Sequence, residues 1–248
     1  MARVALVTGT SAGIGEAVAR RLLDREWKVI GIARRPPTIS HTAYRHVSYD
    51  LAQVPGNPSV LETEIKGFVG EGLPTRAGLV NNAAVPEGLM PLDRLPPKDL
   101  ARIYAVNVIA PIWLMGLFMR LVPRDSALRI VNVSSGAATM GFPGLAAYGS
   151  SKAALRLAGM SLASEWRSDS PAHTRADAAI LSYEPGVVET DMQRYARARP
   201  RDEFPWVGMF LEFEARGALV PPERPAADIV SFLESDHQLP FAERRLRP

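Results

Sequence analysis

Six short apolar runs rich in β-branched residues alternate along the chain with helix-length segments. The runs are Val4 to Val7, Val29 to Ala33, Tyr44 to Tyr49, Gly78 to Val80, Leu128 to Val133 and Ala178 to Tyr183; the helical segments are Gly15 to Arg25, Ser59 to Gly70, Lys98 to Leu121 and Ala146 to Arg167. Each helix carries the chain back to the edge from which the next strand starts, so the strands run parallel. A parallel sheet needs cover on both faces. The expected fold class is therefore α/β, a doubly wound parallel sheet. With 248 residues and 47% hydrophobic content, the chain suffices for one substantial core and is short for two, so 1 to 248 reads as a single domain.

After Thr190 the pattern changes. Arg and Pro punctuate the chain, and aromatic residues gather at Phe204, Trp206, Phe210 and Phe213. Residues 191 to 222 read as an excursion over the carboxyl edge of the sheet, where doubly wound folds bind ligands. A last helix is expected from Ala226 to Leu233, entered through Pro221, Pro222 and Pro225.

Composition excludes several chemistries. The chain has no cysteine, so disulfides and thiolate nucleophiles are unavailable, and its four histidines (41, 46, 173 and 237) are too scattered for a zinc site. A net charge of +3 includes two arginine clusters, Arg194, Arg197, Arg199 and Arg201, and Arg244, Arg245 and Arg247. Without interleaved aromatics or a nucleic-acid motif they read as solvated faces, and no nucleic-acid partner is expected. Met1-Ala2-Arg3 leads directly into the first strand, which leaves no room for a signal peptide and points to a cytoplasmic protein. The most apolar stretch, Ile103 to Met119, is interrupted by Asn107 and Pro111 and falls short of the ~20 residues a bilayer needs. It reads as a helix in the core or in a subunit contact, with no membrane partner.

The first strand runs into Thr8-Gly9-Thr10-Ser11-Ala12-Gly13-Ile14-Gly15 and then a helix. This is the context a phosphate-binding loop requires. Gly9 permits the tight turn, Gly13 lets backbone approach a pyrophosphate, and Gly15 allows close helix packing. Ser11 and Ile14 belong to the same cradle, and the helix start offers free N–H groups to the phosphates. The second strand ends at Arg34 and Arg35, with no carboxylate to take the ribose 2′-hydroxyl of NAD(H). Two forked guanidiniums suit the 2′-phosphate of NADP(H). The plainer alternative is an exposed Arg pair in a turn.

Ser135, Tyr148 and Lys152 form a second constellation. Tyr148 and Lys152 stand four apart, hence one turn apart on one helix face. A free Tyr titrates near pH ~10, and the neighbouring ammonium is expected to lower that value. Ser135, closing the fifth strand, supplies a hydroxyl to hold the oxygen that receives the proton.

Taken in order, these segments resemble the short-chain dehydrogenase/reductase family, a Rossmann-fold family, over about the first 190 residues. Besides the glycine loop, Asp50-Leu51 sits where the family's Asp contacts adenine. Asn81-Asn82-Ala83-Ala84 resembles its N-N-A-G segment, with Ala84 for the last Gly and Asn82 and Ala83 implied as cofactor contacts. Asn107 matches a fourth catalytic position beside Ser135, Tyr148 and Lys152. Pro185-Gly186-Val187-Val188-Glu189-Thr190 matches P-G-x-x-x-T, whose Pro185, Gly186, Val188 and Thr190 would position the nicotinamide. Ser134-Ser135-Gly136-Ala137 and the run to Gln193 are similar to the sepiapterin reductase and benzil reductase branch, whose members reduce vicinal dicarbonyls with NADPH. Two features depart from the pattern. Ala12 replaces the Arg or Lys frequent in NADPH-binding loops, and Phe241-Ala242-Glu243-Arg244-Arg245 does not reproduce an acidic pterin anchor.

The resemblance implies an NADP(H)-dependent oxidoreductase that reduces a ketone or 1,2-dicarbonyl, with Tyr148 as proton donor. Lys152 would also hold the ribose, and Asn107 a proton-relay water. Alternatives are a 3-oxoacyl, sugar or steroid reductase, or a non-catalytic nucleotide-sensing protein on the same fold. The substrate pocket is expected to draw on Pro86, Met90, Met140, Phe142, Met192, Tyr195, Phe204, Trp206 and Phe210, about half of them as lining and the others as core or dimer residues. Ser135 and Tyr148 complete it. Glu184 reads as a solvated strand-end acid that a polar substrate could use. Apolar helices Lys98 to Leu121 and Ala146 to Arg167 suggest a homodimer or homotetramer.

Overall fold

The computed structural model describes residues 2–71, 74–167, 174–236 and 239–246; Met1, His173, His237 and Arg247 lie outside them. Among the described residues seven strands form one parallel sheet: β1 (Arg3–Thr8), β2 (Lys28–Ala33), β3 (Tyr44–Ser48), β4 (Arg76–Asn81), β5 (Ala127–Val133), β6 (Ala178–Glu184) and β7 (Phe241–Arg245), in the order β3-β2-β1-β4-β5-β6-β7. The helices are α1 (Gly13–Leu23), α2 (Ser59–Gly70), α3 (Pro97–Tyr104), α4 (Ala110–Leu121), α5 (Ala146–Glu165), α6 (Asp191–Arg197), α7 (Val207–Ala215) and α8 (Glu223–Glu234).

The alternation of strand side chains sorts the core into two layers. Val4 and Leu6 face one layer, closed by Leu61 and Ile65 of α2, Leu114 and Phe118 of α4 and Leu155 of α5. Ala5 and Val7 face the other, closed by Val18 and Leu22 of α1 and by Ile229 and Phe232 of α8. Strand order reverses between β1 and β4. That reversal opens a crevice at the carboxyl ends of the strands, the general ligand position of such sheets.

The expected Lys98 to Leu121 helix is a helical run from Pro97 to Leu121 broken in register by a π-turn at Ala105–Ile109, where the Ala110 N–H donates to the Ala105 carbonyl. At 25 residues it is long and apolar enough by composition to span a bilayer, contrary to the shorter stretch read from sequence, yet more than half of its most apolar part is buried in the core, through Val106, Leu114, Leu117 and Phe118. The seventh strand has no counterpart among the six apolar runs. Phe-Ala-Glu-Arg-Arg is an edge strand whose last three residues are exposed, so it carries no apolar signature.

Candidate active site

The glycine-rich loop leaves β1 with Gly9 at φ +78° and reaches α1 with Gly13 at φ +60°, both left-handed conformations that favour glycine. A Cβ on Gly15 would stand 2.3 Å from the Gly9 carbonyl oxygen, so the helix start can fold onto the loop only without a side chain there. Thr8 ties the loop to the end of β4: its Oγ1 accepts from the backbone N–H groups of Asn82 and Ala83, each at 3.0 Å, while Asn82 Nδ2 donates to the Thr8 carbonyl at 2.9 Å. The first turn of α1 has Ala12 as its N-cap and no side-chain cap, which leaves its N–H groups for an external acceptor.

One cleft of about 750 Å³ runs from this loop to the catalytic candidates. At the loop end it is lined by Gly9, Ser11, Gly13 and Ile14, by Arg34 and Arg35, and by Asp50, Leu51, Asn82 and Ala83. Pro185, Gly186, Val188 and Thr190 line it as well, with Thr190 Cγ2 close enough to Gly13 to meet a Cβ placed there at 3.2 Å. Gly15 lies behind the loop and does not reach the cleft surface. Asp50 has both carboxylate oxygens engaged, one capping the following turn at Ala52 N and the other held by Arg102 at 3.2 Å. Arg35 is also committed: its Nη2 reaches Asp191 at 2.8 Å across the cleft and its Nε reaches Ser11 Oγ at 3.4 Å. Arg34 is exposed and makes no ion pair among the described residues. Bare N–H groups, a backbone cradle that a Cβ would fill and a free guanidinium suit the phosphates of a dinucleotide.

Ser135, Tyr148 and Lys152 meet on one wall of the same cleft. Ser135 follows β5 and caps a short turn by accepting from Ala137 N at 3.2 Å. Tyr148, half-buried in the first turn of α5, shares a side-chain hydrogen bond with Ser135. Lys152, one turn on, is 3% exposed and donates from Nζ to the Val133 carbonyl at 2.8 Å. Burial pushes the Tyr148 phenol up to about 12, against the Ser135 hydrogen bond that lowers it, and draws the Lys152 ammonium down to about 8. The lowering of the phenol expected from the spacing is thus reversed, because desolvation outweighs an ammonium 5.7 Å from the ring centre.

Asn107 sits in the π-turn, 1% exposed, and stands behind the wall rather than on the cleft surface. Its Oδ1 accepts from Val85 N at 3.0 Å and its Nδ2 donates to Ser151 Oγ at 3.1 Å. The side-chain amide therefore joins the segment after β4 to α5.

Of the residues assigned to substrate, Pro86, Met140, Phe142, Met192, Tyr195 and Phe210 line the cleft; Met90, Phe204 and Trp206 do not. Phe204 is fully buried beneath Leu89, Ala196 and Val207, with Trp206 edge-on at 6.2 Å. Gly144, at φ +74°, makes room for both rings: a Cβ there would be 2.5 Å from Phe204. The late excursion is thereby seated on the loop joining Ser135 to Tyr148. Sequence reading missed Met209, Phe213 and Arg245, which also line the cleft. Met209 and Phe213 flank Phe210 at helical spacing on α7, a usable signal; Arg245 depended on the unseen strand β7.

Residues 3–201 match the family model described as short chain dehydrogenase. The chain is 29% identical over 245 residues to a benzil reductase ((S)-benzoin forming) of Bacillus cereus, covering 94% of this chain and 95% of that protein. It is 27% identical over 230 residues to the benzil reductase of Bacillus subtilis (strain 168), covering 92% of each. Among solved structures it resembles the KRED1-Pglu enzyme, with a TM-score of 0.75, 28% identity, and coverage of 97% of this chain and 100% of that one.

Proposed function

The chain belongs to the short chain dehydrogenase family, whose members are oxidoreductases with nicotinamide cofactors, and from that premise we propose that it is an NADP(H)-dependent carbonyl reductase acting on ketones and 1,2-dicarbonyls. The observation that carries the reading is the convergence of Ser135, Tyr148 and Lys152 on one wall of a cleft whose far end holds the glycine loop and Arg34. A nicotinamide cofactor held by the glycine loop, Arg34 and Lys152 would supply a hydride to the carbonyl carbon. Tyr148 gives its hydroxyl proton to the carbonyl oxygen. With a phenol held up to about 12, Tyr148 keeps its proton at neutral pH and releases it to an alkoxide, a stronger base.

Ser135 donates to the same oxygen, where charge develops only as the hydride arrives, so it favours the transition state over the ground state. Lys152, buried beside the phenol, holds positive potential at that point and would hold the ribose of a bound cofactor. Arg34 would take the 2′-phosphate, since no carboxylate stands at the end of β2 to accept a ribose hydroxyl. The benzil reductases support a vicinal dicarbonyl as substrate, and the aromatic and methionine lining suits an aryl group. The reading includes a cytoplasmic homo-oligomer: Ile112 on α4 and Leu157 and Met160 on α5 are exposed apolar side chains available to a second copy.

The test is consumption of NADPH with benzil and with 1-phenyl-1,2-propanedione. Turnover to the hydroxy ketone supports the reading. No turnover across dicarbonyls, simple ketones, 3-oxoacyl thioesters and sugars, with saturable NADPH binding, would establish a nucleotide sensor instead.

A further inference from the structure

The sheet face beneath α5 ends in a polar ladder. Ser182 and Glu184 on β6 stand level with Glu243 and Arg245 on β7, and Arg156 of α5 closes on Glu243 through Nε and Nη2 at 2.5 and 2.8 Å. These side chains line a second cavity of about 320 Å³. It adjoins the main cleft at Ser134, Ser135, Thr139, Glu184 and Arg245, so the cleft forks at Ser135. One arm is apolar, walled by Met140, Phe142, Met192, Met209, Phe210 and Phe213. The other is charged.

Glu184 stands at the fork. A Cβ on Gly136 would lie 3.0 Å from its Oε1, which places the carboxylate against the residue that follows Ser135. Its ion-pair partner, Arg245 Nε at 3.3 Å, belongs to a side chain 74% exposed. Water and salt screen such a pair, so it satisfies the carboxylate weakly and yields to a better donor.

We infer that Glu184 is a specificity-determining residue that accepts a hydrogen bond from a hydroxyl or ammonium on the carbon next to the reacting carbonyl. The preferred substrates are then ketones with an apolar group on one side and a hydrogen-bond-donating carbon on the other. Glu184 abuts Gly136, the neighbour of Ser135, and both Ser135 and Glu184 line the same cleft, so a polar group close to the carbonyl that Ser135 would hold is the one placed to meet the carboxylate. A site that hydrogen-bonds a substrate group rejects the analogue lacking it far more strongly than an apolar pocket separates homologues. This inference rests on the carbonyl-reductase reading and shifts its preference within the ketones: a vicinal dicarbonyl such as benzil, whose second oxygen only accepts, is then a poorer substrate than an α-hydroxy or α-amino ketone.

The test compares 2-hydroxyacetophenone with 2-methoxyacetophenone, which differ in whether the oxygen donates, using wild type, Glu184→Ala and Glu184→Gln. The wild type is expected to favour the hydroxy ketone in kcat/KM by at least about tenfold, the scale of a charge-assisted hydrogen bond. Glu184→Ala brings that ratio close to one. Glu184→Gln, isosteric and the safer fold, lowers it severalfold, because an amide oxygen still accepts but without charge. A wild-type ratio near one, or a ratio unchanged in both variants, overturns the assignment. If benzil is turned over while the ratio is near one, the assignment to Glu184 fails alone; if wild type reduces neither acetophenone nor any dicarbonyl, ketone, 3-oxoacyl thioester or sugar of the wider panel, the carbonyl-reductase reading fails with it.

Discussion

The ammonium of Lys152 stands 5.7 Å from the ring centre of Tyr148 and gives its hydrogen bond to the Val133 carbonyl, at 2.8 Å. The cation is thus anchored to the end of β5 and acts on the phenol through space. With Lys152 near 8 and Tyr148 near 12, both groups hold their protons at neutral pH, and raising the pH removes the lysine charge first. The kcat/KM for carbonyl reduction should therefore fall as pH rises through about 8. In Lys152→Met that inflection should vanish, with a low rate at every pH. A pH profile of both proteins checks this.

The same lysine sets a stability signature. Its folded pKa, about 8, lies below the ordinary 10.5, so below pH 8 both states are protonated and the folded state carries the full cost of the buried charge. Between about 8 and 10.5 the unfolded chain retains a proton that the folded chain has released, and stability rises with pH. Wild type should gain on Lys152→Met across that window. Melting temperatures of the two proteins at pH 7 and pH 10 measure the change; a constant difference would show that Lys152 is not desolvated.

Arg34 and Arg35 should part company on substitution. Arg34 makes no ion pair among the described residues, whereas Arg35 is held by Asp191 at 2.8 Å. Arg34→Ala is expected to raise the Michaelis constant for NADPH by about tenfold, the loss of one charge-assisted phosphate contact, and to leave that for NADH within twofold. Arg35→Ala should have the smaller effect. Initial rates with both cofactors provide the comparison.

Asn107→Ala removes the acceptor of the buried Val85 N–H. Leaving such a donor unpaired costs about 1–3 kcal/mol. At ~2–4 °C per kcal/mol for a chain of this size, a melting-point drop of several degrees is expected. An unchanged melting point would mean that the amide does not join the two segments.

Much of the molecule was legible in the chain because its signals are local. The six apolar strands announced themselves by β-branched runs, Gly9 and Gly13 by their place at the first strand-to-helix junction, and Tyr148 and Lys152 by helical spacing. What escaped was non-local. Strand β7 has two half-buried residues followed by three exposed ones and no apolar run, so Arg245 could not be placed at the fork with Glu184. The π-turn depends on the packing of Asn107 against Val85 and Ser151, residues 22 and 44 positions away. The reversed Tyr148 shift has the same origin, since burial is a property of the assembled cleft and not of a four-residue interval. Phe204 and Trp206 looked like pocket residues and are instead the buttress under Gly144.

The central claim is that Tyr148 delivers the proton, and single-turnover reduction of benzil by Tyr148→Phe under saturating NADPH tests it most directly. The variant is expected to bind NADPH as wild type does and to lose rate on the order of 10² to 10⁴, the usual contribution of a positioned acid. Hydride transfer at the wild-type rate in Tyr148→Phe would contradict the account.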